Sequence, residues 1–450
     1  MVLLYKTPAA EFRRFAQTLR ATTRTCRTET EVIVVENTGE AYADRATNAE
    51  IAKLCGWTYI ETPRNLGFAG GVALGVERAR GELICLLNDD CWFPAPWLDQ
   101  LVEPLVTDAR VSTVGPALRG KGGALAPTSE DFVVGACFVM RRSEWDLVGG
   151  FDRRYFFGGE EGDYCALWNR LGRRVVILPD VEVRHDGGEA VTYWATPAVS
   201  RVKNVKHELF QAASDLYRSK WVNGPQRVVG SMLIGDERGR YLDEALAWIY
   251  PRVDRLVLVD DCSSDGTWED LSRFAAEHDK VALYRHARRL FLANEQLARE
   301  SLHMKTLKEA PTHVLTLDAD EELSPSFDDA RAGMLAAGGT FSFPIWHLWG
   351  DRQHRRVDSV WGKQTNIRLF EVKWNESQAY QQVRAHCGTA PAYAYRDQKV
   401  RPDVQVVHKG WMAARDVEAK MARDKLWDPS AVFERQDHWT AEPVVIGVVS

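Results

Sequence analysis

The sequence predicts an α/β protein of two tandem Rossmann-like domains, residues 1–222 and 226–450, each a mostly parallel central sheet flanked by helices. Three observations predict it. At 450 residues the chain exceeds one ordinary core, and a prior of about 150 residues per domain favours two. Apolar strand-like runs alternate with amphipathic helical stretches, the βαβ pattern. Finally, Val314-Leu315-Thr316-Leu317 runs abruptly into Asp318-Ala319-Asp320-Glu321-Glu322, and Leu83-Ile84-Cys85-Leu86-Leu87 runs into Asn88-Asp89-Asp90. Continuous apolar runs of this length read as buried strands, which places the acids at the strands' carboxyl ends, where open α/β sheets bind ligands. A single such run is most simply an acidic loop that solvates a strand end. Two in corresponding places indicate a duplicated design.

Taken in order, Val2 to Tyr5 is a strand, about Pro8 to Arg24 an amphipathic helix, and Glu31 to Val35 a strand ending in Glu36-Asn37-Thr38-Gly39. A helix from about Thr47 to Leu54 leads to a strand over Thr58 to Glu61. The glycines of Asn65-Leu66-Gly67-Phe68-Ala69-Gly70-Gly71 allow a tight turn and close approach of backbone N–H groups to a phosphate or sugar, ahead of a helix from about Val72 to Arg80. A plain turn that opens a helix accounts for them equally well. After the strand ending at Asn88-Asp89-Asp90 come a helix near Pro96 to Leu105 and strands near Val111 to Gly115 and Phe132 to Met140. A glycine-aromatic loop then enters an acidic helix start at Glu160, Glu161 and Asp163. Acids in a first turn suit the helix dipole, but three exceed what a cap needs. Strands over Arg174 to Leu178 and Val181 to Arg184 lead to His185, and helical sequence over 197–221 reaches a linker at Asn223-Gly224-Pro225.

The second half restarts with a strand over Arg227 to Ile234, a helix over Asp243 to Tyr250, and a strand over Leu256 to Val259 ending in Asp260-Asp261-Cys262-Ser263-Ser264-Asp265. Acid and serine at a strand end suit carboxylate hydrogen bonds to a ribose or base edge. A strand over Val281 to Tyr284 and a helix from about Asn294 to Glu309 deliver the chain to Asp318 and Asp320. Side chains alternate along an extended segment, so these two point to one side and can share a cation. Phe341 to Pro344, Thr365 to Phe370 and Val404 to Val407 supply further strands, the last ending at His408; residues 412–427 are helical, and the tail from Pro429 is irregular.

The net charge of −6 and the pI near 6.1 leave no electrostatic footprint of a general nucleic-acid binder. No apolar run is long enough to span a bilayer and the N-terminus is too weakly apolar for a signal peptide, so a cytoplasmic protein is expected. The 8 Cys are scattered without zinc spacing and read as reduced thiols, which need neither disulfides nor a structural metal.

Each half thus offers a strand-end turn, a second strand ending in acid, and a later His beyond an apolar strand. Carboxylates with one imidazole suit Mn²⁺ or Mg²⁺ better than zinc. The strings VIVVENTG, NLGFAGG, LLNDD, GGFDRRYFFGGEEGDYC and VEVRHDGG resemble, in order, the rhamnosyl- and galactofuranosyl-transferase branch of the family 2 glycosyltransferases. LVLVDDCSSDGT, LTLDADEE, RLF and VVHKGW resemble another branch of the same family. The resemblance covers nearly the whole chain and implies two GT-A domains of the inverting type, taking a nucleotide sugar, expected to be a UDP- or dTDP-sugar, with a divalent metal. It places Glu36, Asn37, Asn65, Gly67, Gly70, Asn88 and Asp89 around the donor, Asp90 and His185 on the metal or diphosphate, Glu161 as catalytic base and Asp163 as a positioning residue. In the second half it places Asp260, Asp261, Asp265 and Ala319 around the nucleotide and Asp318, Asp320 and His408 at the metal. His386-Cys387 stands where relatives carry His-Glu, so the expected second base is absent, with Glu376 a weak substitute.

Three readings stay open on the sequence alone. Both halves are transferases acting on a carbohydrate or other hydroxyl acceptor, or one half is catalytic and the other is a degenerate binding domain that positions the acceptor. In the third, the basic aromatic run His347, Arg352, His354, Arg355, Arg356 and Trp361 stacks on DNA as acceptor. Such runs are more often solvated surface or an acceptor loop.

Overall fold

In the computed structural model the N-terminal apolar run Val2–Leu4 is strand β1, and the amphipathic stretch after it is helix α1 (Ala9–Thr23), which buries Phe12, Phe15, Ala16 and Leu19. Strand β2 (Ile33–Glu36), helix α2 (Arg45–Cys55), strand β3 (Thr58–Glu61), helix α3 (Gly67–Arg78) and strand β4 (Leu83–Asn88) continue the alternation. Next come the two-residue strand β5 (Cys91–Trp92), helix α4 (Trp97–Thr107) and strand β6 (Val111–Gly120). Strand β7 (Cys137–Arg141) runs directly into helix α5 (Arg142–Val148), and helix α6 (Glu160–Arg170), strand β8 (Arg174–His185) and helix α7 (Lys206–Trp221) follow.

The second half comprises β9 (Val228–Ile234), α8 (Leu242–Ile249), β10 (Arg255–Asp260), α9 (Thr267–Glu277), β11 (Val281–Arg285) and α10 (Glu295–Leu307). It continues with β12 (His313–Thr316), β13 (Glu321–Leu323), α11 (Ser326–Ala337), β14 (Thr340–His347), β15 (His354–Arg356) and β16 (Thr365–Glu371). Strands β17 (Gln398–Val400), β18 (Val406–His408) and β19 (Ile446–Val448) end it. The chain divides into two units, Met1–Gly224 and Pro225–Ser450.

The structure describes residues 1–39, 41–120, 123, 125, 131–186, 206–222, 224–357, 362–383, 387–412 and 446–448. The helix expected over 412–427 beyond its first residue, the start of the tail from Pro429, residues 197–205 of the expected bridging helix, Asn223, Trp361 and His386 lie outside these.

The duplication inferred from two acidic strand ends is written into the sheets. The first is ordered β3-β2-β1-β4-β7-β6-β8-β5 and the second β11-β10-β9-β12-β16-β14-β18-β13. Pair by pair the directions agree: three parallel pairs, two antiparallel, one parallel and one antiparallel. Register fixes the correspondence. Leu4 stands opposite Glu36 as Ile234 stands opposite Asp260, and Cys91 faces His185 as Glu321 faces His408. The Asp186 N–H donates to the Asp90 carbonyl at 3.0 Å, and the Lys409 N–H to the Asp320 carbonyl at 2.8 Å. Glu36 and Asp260, Asp90 and Asp320, and His185 and His408 are therefore equivalent positions.

Each sheet is mixed, with an antiparallel strand, β7 or β16, inserted beside the parallel run. Helices α1 and α4 bury Phe12, Phe15, Trp97 and Leu101 against the first sheet; α8 and α11 bury Leu246, Ile249 and Phe327 against the second. Three local expectations need correcting. Helix α3 starts at Gly67 rather than near Val72, because side chains cap the turn before it (below). The strand expected from Phe132 begins only at Cys137: Phe132 makes an isolated bridge, and Phe132 and Val134 line a cleft ahead of the ladder. The two strands expected around Pro179 are one, β8, whose ladder with β6 shifts register between Pro116 and Ala117.

Gly67 sits at φ +74°, and a Cβ there would lie 2.5 Å from the Phe156 carbonyl oxygen, the atom that accepts from Phe68 N–H at 2.9 Å. Gly67→Ala is expected to cost about 1–3 kcal/mol, read as a lower urea midpoint for the first unit.

Candidate functional site

A cleft of about 490 Å³ opens at the carboxyl ends of β1 and β4. Asn37, Asn65, Asn88, Asp89, Glu160, Glu161 and His185 give it polar groups, and Phe68, Phe132, Phe156, Phe157 and Phe210 give it aromatic walls.

The Gly-rich turn owes its shape to Asn37, which is 2% exposed. Its Nδ2 donates to Asn65 Oδ1 at 3.0 Å and to the Gly67 carbonyl at 2.9 Å, while its Oδ1 accepts from Leu66 N–H at 2.9 Å. Asn65 Oδ1 accepts from Gly67 N–H at 2.8 Å. These bonds satisfy donors that a helix start leaves orphaned. Asn37 thus shapes the floor of the cleft. Glu36 is fully buried and accepts from Thr38, from Asn48 at 3.3 Å and from Tyr59 at 3.2 Å, so its oxygens bind the fold. Gly70 packs toward Leu66 on α3, outside the cleft lining.

The turn after β4 brings Asn88, Asp89 and Asp90 to the end of β8. Asp90 Oδ1 lies 3.2 Å from His185 Nε2, and Asn88 Nδ2 lies 3.4 Å from the same nitrogen. Among the described residues, Asp90, Cys91 and His185 form the group of three whose ligand atoms all lie within 4.8 Å of one another. The Cys91 thiol donates to the Ala136 carbonyl at 3.4 Å, and burial first, then the charges of Asp90 and Asp89, hold its pKa well above the ordinary value. That leaves a carboxylate and an imidazole, whose Nδ1 is buried without a hydrogen-bond partner, as a hard donor pair. Asp89 accepts from the Thr7 hydroxyl; burial pushes its carboxyl up to about 7, the Thr7 bond opposing and the Asp90 charge adding.

Glu160 and Glu161 open helix α6 behind Gly159, whose φ is +94°. Both residues line the cleft, and each has an Oε2 that is buried without a hydrogen-bond partner. Burial raises the pKa of both, against the neighbouring backbone of Gly135 and Gly159 for Glu161 and of Gly158 for Glu160. An unsatisfied buried group costs about 1–3 kcal/mol, so such a pair points to a ligand. Asp163 differs. It is 1% exposed, outside the cleft lining, and its Oδ1 accepts from Lys220 at 2.5 Å, Trp221 Nε1 at 2.7 Å and Tyr155 OH at 3.1 Å. It positions α7 against α6.

In the second unit the strand-end acids are bound into the protein. Asp260 meets Arg285 at 3.0 Å; Asp261, the equivalent of Asn37, accepts from His286 Nδ1 at 2.7 Å, Leu290 N–H at 2.8 Å and Phe291 N–H at 2.9 Å. Asp265 caps α9 through Thr267 N–H at 2.9 Å. Strand β12 ends at Thr316, so Asp318 and Asp320 lie in a turn where strand alternation no longer governs them, and they take different partners. Asp318 meets Arg299 at 3.1 Å and Arg368 at 3.3 Å; burial raises its pKa, and these two cations more than offset that, leaving it below the usual range. Asp320 lies 3.5 Å from His408 Nε2, His408 Nδ1 is 3.3 Å from His347 Nδ1, and Ala319 joins the core. Burial pushes the Cys387 thiol up to about 12, and Glu376 pairs with Arg396 at 3.1 Å near the surface. In the basic run, Arg352 pairs with Glu244 at 2.6 Å, Arg355 and Arg356 lie over Trp346 and Trp349, and His354 meets Asp351 at 2.8 Å.

Sequence reasoning missed the aromatic walls, Thr7, the thiol of Cys91 beside His185, and the buried Arg299 and Arg368. Cys91 carried a signal, following Asp90 directly, and so did Arg368, the first residue of the RLF string. The phenylalanines come from four separate segments and share no spacing.

A family model described as Glycosyl transferase family 2 matches residues 11–177 and 239–342, one segment in each unit. N-acetylglucosaminyl-diphospho-decaprenol L-rhamnosyltransferase of Mycobacterium tuberculosis, in strains CDC 1551 / Oshkosh and ATCC 25618 / H37Rv, is 41% identical over 51 residues. That match spans 11% of this chain and 17% of the relative. A mannosyltransferase from Pyrobaculum calidifontis in complex with GDP-Man and Mn²⁺ matches at TM-score 0.35 and 17% identity, covering 43% of this chain and 58% of that one. GalNAc-T7 with UDP, GalNAc and Mn²⁺ matches at TM-score 0.35 and 13% identity, covering 50% and 58%.

Proposed function

Because this chain belongs to glycosyl transferase family 2, we propose that its first unit moves a sugar from a nucleotide-sugar donor to an acceptor hydroxyl with inversion at the anomeric carbon, Glu161 acting as base. The carrying observation is the buried, unpartnered Oε2 of Glu161 in one cleft with Asn88, Asp89 and His185. A carboxylate whose pKa burial has raised holds a proton more firmly than an exposed one, which suits general-base work near neutral pH. Glu161 takes the acceptor's proton as that oxygen attacks the anomeric carbon in line. The bond to the donor's diphosphate breaks on the opposite face, its electron pair leaving on the phosphate oxygen. The phenylalanine walls keep out water, which would otherwise accept the sugar and waste the donor. Asp90 and His185 fit a divalent cation, Mn²⁺ or Mg²⁺, on donor chemistry and proximity. Such an ion supplies positive charge against the departing diphosphate.

The second unit is proposed to bind rather than transfer. Its Cys387 is a firmly protonated thiol, Glu376 is paired at the surface, and Asp318 is already neutralised by two arginines. The acceptor is proposed to be a carbohydrate; the described cations of the basic run are engaged within the protein, which favours DNA less.

A calorimetric screen of nucleotide sugars with and without Mn²⁺ tests the reading. At least one UDP- or dTDP-sugar is expected to bind only with the metal. Asp90→Asn is expected to weaken both that binding and the binding of Mn²⁺ alone by at least about tenfold. A screen in which no donor binds would remove the proposal.

A further inference from the structure

The cleft of the first unit holds one carboxyl more than the proposed reaction uses. Glu160 is 3% exposed, lines the cleft beside Glu161, and leaves Oε2 without a hydrogen-bond partner. Acids that serve only a helix dipole can stand in water, where carrying a charge is easy. Glu160 is buried instead. Asp163, in the same helical turn, is the contrasting structural acid, with Lys220, Trp221 and Tyr155 all supplied to it. Glu160 and Glu161 share a different arrangement: the backbone of Gly158 lies near the Glu160 carboxyl and that of Gly135 and Gly159 near the Glu161 carboxyl, and each leaves one oxygen unsatisfied.

We propose that Glu160 is a specificity-determining carboxyl that hydrogen-bonds a second acceptor hydroxyl, next to the one Glu161 deprotonates, so that the cleft takes an acceptor with two neighbouring hydroxyls rather than a lone alcohol. The inference rests on the glycosyltransferase reading of the same cleft. Two adjacent carboxyls in a poorly solvated site do not both ionise readily. Burial first, then the charge of Glu161, holds the pKa of Glu160 well above the usual range, which makes Glu160 the protonated member. Its O–H donates to the second hydroxyl oxygen, and Glu161 stays free to accept a proton from the first. A saccharide ring with a vicinal diol presents both oxygens along one edge and C–H faces to rings such as Phe68 and Phe132. A single alcohol, whether a serine side chain, a hydroxymethylated base or a long-chain alcohol, would leave Glu160 buried and unbonded, and a site built to bond a hydroxyl discriminates against ligands that lack it.

The test measures transfer, from the donor found in the nucleotide-sugar screen, to methyl glycosides with a vicinal diol, to their singly deoxygenated analogues, and to simple mono-alcohols. Glu160→Ala is expected to raise the acceptor KM about 10- to 100-fold with kcat little changed, and Glu160→Gln, which keeps a donor, to recover most of that loss. Removing the neighbouring hydroxyl should cost the wild type a similar factor and cost Glu160→Ala nothing more. Equal penalties in both proteins, or mono-alcohols used as well as diols, would overturn the proposal. A second arm needs no turnover: at neutral pH one infrared carbonyl band of a protonated buried carboxyl, besides that of Asp89, should be present, be lost in Glu160→Gln and persist in Glu161→Gln. Without that band the proposal fails whether or not sugar is transferred, whereas a band without any transfer would fault the glycosyltransferase reading instead.

Discussion

Glu161→Gln is expected to lower kcat for glycosyl transfer by about 10²- to 10⁴-fold while leaving the fold and metal-dependent donor binding intact. Glutamine has the same shape and fits the place of the Glu161 carboxyl beside Gly135. What it cannot do is take a proton from an attacking hydroxyl. Because the second unit offers a thiol and a surface ion pair where a base would stand, the loss should fall on all turnover rather than on half of it. Residual transfer that disappears on adding Asp320→Asn would instead place chemistry in the second unit. The pH profile checks the same assignment. A base works deprotonated, and burial raises the pKa of Glu161, so kcat/KM in the wild type should climb with pH along a limb displaced above the ordinary glutamate value of about 4.3. A limb at or below that value would mean that Glu161 is not the base.

How much of this was legible depended on whether the information lay along the chain or across it. The central strands of both parallel runs were legible because burial on two faces leaves stretches such as Leu256–Val259 and His313–Thr316 with little polar interruption. The pairing of Asp90 with His185 rests on ladder register between residues far apart in the sequence, which spacing alone does not reveal; there the resemblance in motif order supplied the pairing. Helices α5 and α11 were not anticipated. The first is a short stretch, Arg142–Val148, with no start signal in the sequence, and the second, Ser326–Ala337, buries only Phe327 and Met334, too few apolar positions to mark a stripe. Acid at a strand end did not disclose its partner. Asp318 and Asp90 look alike in sequence, yet one meets two guanidinium groups and the other an imidazole. The guanidinium groups come from α10 and β16, and only the folded sheet brings them together.

The difference between those two acids leads to the second large effect. Arg368 is 1% exposed on β16 and reaches Asp318 at 3.3 Å and Glu321 at 2.5 Å; Arg299, itself paired with Glu295 at 3.3 Å, reaches the other oxygen of Asp318. Deleting one partner of a buried ion pair is far worse than never having built it, because the remaining charge is stranded away from water. Arg368→Met keeps an apolar stem in the core and is expected to cost about 3–5 kcal/mol, read as faster hydrogen exchange of β12 and β16 and an earlier unfolding transition for the second unit. A loss under about 1 kcal/mol would mean that Asp318 and Glu321 do not depend on the arginine. Divalent cation separates the two roles the turn could serve. In the wild type the guanidinium groups already neutralise Asp318, so Mn²⁺ should add little stability to the second unit. In Arg368→Met, with two carboxylates left near Asp320 and His408, Mn²⁺ should recover part of the loss, as expected of an ion that binds only the folded state. Strong stabilisation of the wild-type second unit by Mn²⁺ would show instead that the arginines do not occupy the cation's role, and the second unit would regain its claim to a metal-dependent site.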